Sequence, residues 1–467
     1  VEEYAFVFNR FNRLSNKHER NTKVKPVTLL FGFCIVLVTQ FAAAQPEFTP
    51  DSIKNVCKRV AGSRLSSHQD NGWQGGTYYE GVMALYYMTK ENSYLDTTVA
   101  WGAYHNWLSS SGDSAPTNSD NVGCYQAYLE AYMQNPLPAN VGWIAAPIVY
   151  VKQNTYQHEP SWPIVDQYHM SAANFVRVSA ITGDTVILDS LYKFCTTIAM
   201  RHYNVKDSLF NSNCSDTSQP RASYWGRGCG WGVMAQCRIL QMLPSGHYSA
   251  PWYKEKLRAV LYRLLRLQNQ TDGMWRSDLI NDPQWHKEAS ATAFFAFGYF
   301  YAIRNGIVDS ATFIGPAKKA WEGLLGCVGA DPKQPDLIGW SQGVGGSASN
   351  NFDSTNHDEY TEGGFFLAGN EFYRLLTEGV VRAGTPVGRS AAPASSPMHA
   401  TVVRVTTCLD KSIRLAAPPG AVALEVYSLD GRLVGRTNIT EAGISRFAAR
   451  ANGLQTNGPF IVKYLFQ

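Results

Sequence analysis

The sequence predicts an all-α (α/α)6 barrel followed by a small C-terminal β-sandwich, and three observations carry that prediction. Between residues 50 and 380, six charge-poor segments with helical spacing alternate with six amphipathic ones. Helices poor in charge on every side are buried, and those with one polar face lie outside. After Gly384 the composition shifts to Pro, Ala and Ser, and beyond that to short β-rich runs. Six inner and six outer helices in alternation make a repeat of long period that closes into a toroid.

The inner segments cover residues 79–87, 123–129, 168–175, 230–240, 289–301 and 363–369. The outer ones cover 52–65, 94–108, 143–156, 186–202, 252–267 and 313–327. In the fifth outer segment Lys254, Lys256, Arg258, Arg263 and Arg266 lie opposite Leu257, Val260, Leu261, Leu264 and Leu265, as an amphipathic helix requires. The loops before the inner helices open at one end of such a toroid. They hold Trp73 and Tyr79, Asp120, Trp162 and Asp166, Trp225 and Arg227, Trp275, Trp285 and His286, and His357 to Glu359. Aromatic, acidic and glycine residues on one rim suit a carbohydrate cleft.

Both ends of the chain read differently. Residues 1–44 combine Arg10, Arg13, Lys17, Arg20, Lys23 and Lys25, an apolar run over 29–38, and Ala42-Ala43-Ala44 before Gln45. That pattern is a secretory signal, with an uncleaved anchor as the alternative. The apolar run is short for a membrane span, so no stable insertion is expected once it is removed. The barrel domain then runs over 45–384, a linker with Pro386, Pro393 and Pro397 over 385–398, and the sandwich over 399–467. Strands are expected at 400–406, 421–428, 433–437 and 460–466, with Asp430-Gly431 as a hairpin turn.

Composition narrows the function classes. A net charge of +4, partly contributed by the signal, and the lack of a basic run in the folded part argue against nucleic acid. Charged residues make up 17% and aromatics 13%, a balance that fits an aromatic-lined surface. No GxGxxG, Walker A or HExxH element is present, which removes the common nucleotide and zinc-protease readings. Of nine cysteines, Cys34 leaves with the signal, and the other eight form no CxxC pair. Their pairing is not legible, and most read equally well as small buried hydrophobes. His357-Asp358-Glu359 lacks metal-ligand spacing, so neither a metal nor a cofactor is expected.

The stretch Trp225-Gly226-Arg227-Gly228-Cys229-Gly230-Trp231 is the most informative. Two indoles bracket one guanidinium on a glycine-rich loop where a helix begins. Indoles suit the apolar faces of a sugar, and a guanidinium can grip a carboxylate through two parallel hydrogen bonds. An acidic-sugar pocket is one reading; packed tryptophans and a structural ion pair are the other.

Several segments together resemble the unsaturated rhamnogalacturonyl hydrolases, glycoside hydrolase family 105. They are Ile164-Val165-Asp166-Gln167-Tyr168-His169-Met170, Arg227-Gly228-Cys229-Gly230-Trp231, Thr271-Asp272-Gly273-Met274-Trp275, Glu288-Ala289-Ser290-Ala291-Thr292-Ala293 and Glu362-Gly363-Gly364-Phe365-Phe366-Leu367-Ala368-Gly369. The related family 88, acting on unsaturated glucuronyl disaccharides, is the nearest competitor, and a non-catalytic glycan-binding (α/α)6 protein is the alternative of another class. The resemblance implies an (α/α)6 barrel and a substrate with a 4,5-unsaturated uronic acid at its non-reducing end. It implies that a carboxylic acid protonates C4 of the vinyl ether, water adds at C5, and the hemiketal collapses to release the sugar. It places the catalytic acid/base at Asp166, an assisting aspartate at Asp120, and substrate contacts at Arg227 and Trp231. Trp225, Tyr168, His169 and Trp162 are further candidates for the pocket wall. An N-cap role competes for both aspartates, and a structural role for His169. Cys229 departs from the family, which commonly has asparagine there.

The C-terminal module resembles the sorting domains of the type IX secretion route, on Val426-Tyr427-Ser428-Leu429-Asp430-Gly431-Arg432 and Gly458-Pro459-Phe460-Ile461-Val462-Lys463-Tyr464. A small carbohydrate-binding module is the alternative. The partners expected are therefore an acidic oligosaccharide and the secretion machinery of a Gram-negative bacterium. The protein would then be periplasmic, cell-surface or extracellular.

Overall fold

Twelve α-helices follow one another in the order that the hydropathy pattern predicts, among the described residues. They are α1 (Pro50–Gly62), α2 (Trp73–Thr89), α3 (Asn92–Tyr104), α4 (Tyr125–Gln134), α5 (Ala145–Asn154), α6 (Asp166–Thr182), α7 (Val186–His202), α8 (Gly226–Leu240), α9 (Ala250–Leu267), α10 (Ala289–Arg304), α11 (Ser310–Leu325) and α12 (Glu359–Glu378). The computed structural model describes residues 48–380 except 67, 115, 156–163, 212–220, 282–285, 346–347 and 350, with strand segments at 400–403, 412–416, 421–427, 433–438, 444–448 and 460–466. The expected signal, the linker, Trp162 and Trp285 lie outside the described residues. Among those residues no helix is long and apolar enough to cross a membrane.

The even-numbered helices form the inner layer. Each packs on the next, and α12 returns onto α2, so the ring closes. The odd-numbered helices pack outside against their even neighbours, which makes the architecture an (α/α)6 barrel. Burial follows the charge pattern. Every residue of α10 is buried, whereas α9 buries a stripe that includes Leu257, Val260, Leu261 and Leu264 and leaves its basic face to solvent.

Closure of the ring depends on two glycines. A Cβ on Gly81 of α2 would come 2.6 Å from the Gly363 Cα of α12, and one on Gly363 would come 2.2 Å from the Thr77 carbonyl oxygen. The two backbones therefore touch, and no larger side chain fits between them.

Two residues expected on the rim belong to the core instead. Helix α2 begins at Trp73, so Tyr79 falls on its second turn and stacks on Trp101 of α3, ring centroids 3.9 Å apart. Trp275 donates its indole N–H to the Leu264 carbonyl oxygen at 2.9 Å and packs edge-on against Phe295 and Tyr299.

A short antiparallel pair, β1 (Tyr203–Asn204) and β2 (Leu209–Phe210), follows α7 and has no signal in the sequence pattern. Beyond the barrel, β3 (Ala400–Val403), β5 (Ala421–Tyr427), β6 (Leu433–Asn438) and β8 (Phe460–Phe466) form an antiparallel sheet of order β3–β8–β5–β6. Strands β4 (Ser412–Ala416) and β7 (Ile444–Ala448), not foreseen, pair antiparallel with each other. The Asp430-Gly431 turn lies outside the described residues.

Candidate active site

Inner-helix N-termini share one end of the barrel, and the site is built there. Asp166 is the first residue of α6, Trp73 of α2 and Gly226 of α8, while Asp120 lies on the 3-10 turn Ser119–Val122 just before α4. Asp166 is 9% exposed and is not spent as a helix cap, since Val165 holds that position without a side-chain bond. Burial pushes its carboxyl up to about 7, and the charge of Asp120 adds to the rise. The Arg227 guanidinium, a backbone N–H and the Trp231 indole N–H offset part of it.

Asp120 is likewise free of capping work. Asn118 caps the turn, its side-chain oxygen accepting from the Asp120 N–H at 3.0 Å. Partial burial raises the Asp120 carboxyl above the ordinary range.

Trp231 is fully buried and forms the inner wall beside Asp166. Trp73 meets it edge-on at 6.0 Å and also lies 4.9 Å from the Tyr360 ring. Gly123 keeps this corner open, because a Cβ there would come 3.1 Å from both the Trp73 Cα and the Met170 Sδ. Three buried polar atoms around the acid complete no hydrogen bond: Asp166 Oδ2, Trp231 Nε1 and Arg227 Nε. The indole N–H eases the charge on Asp166 without aligning into a full bond. Buried polar groups carry a desolvation cost when unpaired, so this trio is a standing demand for a ligand.

Arg227 differs from the free carboxylate clamp that its motif suggests. Its Nη1 donates to the Gln342 carbonyl oxygen at 2.5 Å, and its Nη2 to that of Gly343 at 2.9 Å. Its guanidinium lies between the rings of Trp225 and Tyr360, 4.9 Å from each centroid. Trp225 in turn donates to Gln342 Oε1 at 2.7 Å. Glu288, the N-cap of α10, holds the same segment by accepting from the Gln342 N–H at 3.0 Å. Arg227 therefore ties the 342–345 segment to α8, and Nε is the donor it has left.

Tyr168 and His169 are enclosed in the bundle rather than set at its mouth, which for His169 is the structural role weighed against a substrate contact. Tyr168 is fully buried, and its hydroxyl accepts from Gln236 Nε2 at 2.5 Å. His169 is also fully buried, lies 3.1 Å from Glu80 Oε1 through Nε2, and stacks behind Trp231 at 5.1 Å. On a helix that begins at Asp166, residues two and three positions on point into the bundle rather than to its mouth.

Cys229 is buried, and burial pushes its thiol up to about 12, while the Phe210 backbone hydrogen-bonds it. It faces β2, away from the cleft, and its protonated state makes it a packing residue. The six cysteines described, Cys57, Cys124, Cys195, Cys229, Cys237 and Cys327, are all buried and unpaired.

At the opposite side of the mouth Arg64 occupies the space between His357, Glu359 and Glu362. Its guanidinium lies 3.3 Å from His357 Nδ1, 3.3 Å from Glu359 Oε2 and 2.7 Å from Glu362 Oε2. A fixed cation already sits where these residues could have gathered a metal. Among the described residues no cluster of three or more His, Cys, Asp or Glu could hold one. Burial pushes Glu362 up to about 7 even with Arg64 beside it.

A family model described as Glycosyl Hydrolase Family 88 matches residues 50–376. The chain belongs to that family. It is a glycoside hydrolase, and the matched span is the whole helical ring. An unsaturated 3S-rhamnoglycuronyl hydrolase of Formosa agariphila is 22% identical over 330 residues, covering 65% of this chain and 84% of the relative. The structure of a family 88 glycosyl hydrolase from Bacteroides vulgatus superposes with a TM-score of 0.64 at 22% identity, covering 70% of this chain and all of that one. A polysaccharide lyase superposes with the same TM-score, 0.64, at 22% identity, covering 72% of this chain and 99% of the other. At such identities the likeness speaks for the barrel alone.

Sequence reasoning passed over Glu288, Gln342, Tyr360 and Arg64 as site residues. Gln342 lies in a loop of no periodicity, so nothing local could have singled it out. Glu80, Glu130, Arg177 and Arg238 had a readable signal: Glu80 and Glu130 are each the single charge of their helix, and Arg177 and Arg238 each share theirs with only one other, near its start. Such a charge is buried by its helix and must find a partner.

Proposed function

We propose that this family 88 enzyme removes a 4,5-unsaturated uronic acid from the non-reducing end of oligosaccharides left by a polysaccharide lyase. The observation that carries this reading is Asp166, a buried carboxyl raised to about 7 and ringed by unsatisfied polar atoms. A proton donor works best when its pKa lies near the working pH. Asp166 gives its proton to C4 of the vinyl ether. The resulting cation at C5 takes up water, which the same carboxylate, now ionised, deprotonates. The hemiketal then opens and releases the sugar. One acid/base serves both halves of the reaction, unlike the paired carboxyls of ordinary glycosidases. Asp120 holds the proton on Asp166 between turnovers. Trp73, partly exposed, offers its ring to the sugar with Trp231 buried behind it, and Arg227 Nε is the donor available to its carboxylate.

The finer reading is an unsaturated rhamnogalacturonyl hydrolase of the family 105 type. The order of the motifs supports it, as does the rhamnoglycuronyl activity named for the Formosa relative. We read the C-terminal strands as a sorting module and the enzyme as exported. Fractionation of the native host tests this, and activity confined to the cytoplasm would overturn it.

The decisive assay incubates the protein with lyase-generated disaccharide and follows the ultraviolet absorbance of the conjugated double bond. Loss of absorbance is expected, and Asp166→Asn is expected to abolish it while leaving the fold intact. A gain of absorbance from intact polymer would make the enzyme a lyase instead.

A further inference from the structure

The inner helices carry few charges, and several of these meet on the barrel axis behind Trp231. Glu80 comes from α2, Glu130 from α4, His169 and Arg177 from α6, and Arg238 from α8, and none is more than 4% exposed. Arg238 Nε lies 3.1 Å from Glu80 Oε2, and its Nη2 lies 2.6 Å from Glu130 Oε1. Arg177 Nη2 lies 2.5 Å from that same Glu130 oxygen. Two carboxylates thus face two guanidiniums, and Tyr87 of α2 is the further titratable group beside them. Buried ion pairs add little net stability over apolar packing, so a network of this size invites a role beyond holding the fold.

Its edge reaches the site. Glu80 Oε1 lies 3.1 Å from His169 Nε2, which assigns that nitrogen the proton. The His169 ring lies nearly parallel to Trp231, 23° between planes with centroids 5.1 Å apart. The Trp231 indole N–H lowers the Asp166 carboxyl without completing a hydrogen bond, and the charged groups acting on that carboxyl are Asp120 and Arg227. The path from Glu80 to the candidate acid is therefore three contacts long.

We propose that Glu80 and His169 are positioning residues for Asp166: Glu80, held by Arg238, fixes the His169 ring, and the ring holds Trp231 with its N–H at the acid. Neither touches substrate. The proposal rests on Asp166 being the proton donor. It makes the charge balance on the barrel axis part of what sets the enzyme's working pH.

The test compares pH profiles of kcat and KM for the full chain and its variants on the unsaturated disaccharide. Glu80→Gln keeps an oxygen that can accept from His169 but leaves the network of Glu130, Arg177 and Arg238 with one net positive charge. That charge favours ionised Asp166, so the alkaline limb moves down by about half a pH unit or more. Glu80→Gln/Arg238→Gln restores the balance, and its limb returns toward the parent's. His169→Phe keeps a ring but cuts its tie to Glu80, and kcat falls about tenfold with KM held within about twofold. Should Glu80→Gln fail to fold, the double variant's limb and the His169→Phe kcat decide. An unmoved limb in folded Glu80→Gln, a displaced limb in the double variant, or an unchanged kcat in His169→Phe overturns the proposal. Asp166→Asn separates the two layers. If it stays active, the acid assignment fails and this inference with it; if it is inactive while the other variants match the parent, only the positioning pair fails.

Discussion

Asp120 sits close enough to Asp166 for its negative charge to oppose ionisation of the Asp166 carboxyl, second only to burial in raising it. The two residues come from different helices of the ring, α6 and the turn ahead of α4, so the pairing exists only because the barrel brings neighbouring N-termini together. The interaction is a tuning device: shape and hydrogen bonding at Asp166 can stay fixed while its charge preference changes.

Asp120→Asn isolates that tuning. The amide keeps the volume and removes the charge, while desolvation of Asp166 remains. The Asp166 pKa falls but stays above an ordinary carboxyl. An enzyme that needs this group protonated loses activity as pH rises through its pKa, so the alkaline limb of kcat/KM moves to lower pH by about one unit. The pH profile on the unsaturated disaccharide checks this, and a limb that does not move would remove Asp120 from the tuning.

The raised carboxyl also costs stability, with a definite sign. In the fold Asp166 titrates at about 7, and in the unfolded chain near its ordinary value of about 3.9. Below the unfolded value both states are protonated and no cost arises. As pH rises from there toward the folded value, the unfolded chain releases a proton that the fold retains, and stability falls. Above about pH 7 the deficit levels off, on the order of a few kcal/mol. Asp166→Asn should therefore melt higher than the parent at pH 8 and at the same temperature near pH 4. Equal melting curves at both pH values would contradict the burial of this group.

Ring closure supplies a prediction about the fold rather than the chemistry. Gly363→Ala places a methyl group 2.2 Å from the Thr77 carbonyl oxygen, a backbone atom that can move only with α2. Parting α2 from α12 costs about 2 kcal/mol or more. Gly246→Ala, with nothing within 4 Å of the new methyl group, should stay within about 0.5 kcal/mol of the parent. Urea unfolding of both variants checks the contrast, and equal midpoints would mean that the helices do not touch there.

Much of the barrel was legible because helical burial has a simple correlate in sequence. The run Ala289-Ser290-Ala291-Thr292-Ala293-Phe294-Phe295 could only be an inner helix, and α10 is buried along its whole length. Asp166 was legible through its motif, and burial accounts for its raised pKa. What failed was direction. Tyr168 and His169 sit within three residues of Asp166, yet one helical turn carries them inward, so proximity to the acid in sequence is not proximity to the pocket. The tethering of Arg227 was not legible for another reason: its partners are carbonyls of residues 342–345, more than a hundred positions away, and backbone acceptors leave no mark in composition. The Glu80–His169 contact is equally long-range, though the isolated charge in α2 signalled that a partner was needed.

Glu288 is where stability and the site are joined, and it yields the last prediction. Its Oε1 accepts from the Ser290 N–H at 3.0 Å, the Ser290 hydroxyl at 2.7 Å and the Gln342 N–H at 3.0 Å, and its Oε2 accepts from the Ala291 N–H at 2.5 Å. All the groups facing it donate, so an amide in its place turns N–H toward N–H or O–H. Glu288→Gln should therefore destabilise the protein by about 2–4 kcal/mol, since hydrogen bonds to a buried charge are lost and donors are left unpaired. It also frees Gln342, whose carbonyl and side chain hold Arg227 and Trp225. KM for the unsaturated disaccharide should rise several-fold. Ser290→Ala removes one hydroxyl donor and leaves Gln342 held, so it should lower stability by about 1 kcal/mol and leave KM unchanged. Parallel urea titrations and Michaelis curves for the two variants decide the matter. A Glu288→Gln enzyme with parental KM would show that the segment carrying Gln342 does not shape the binding site.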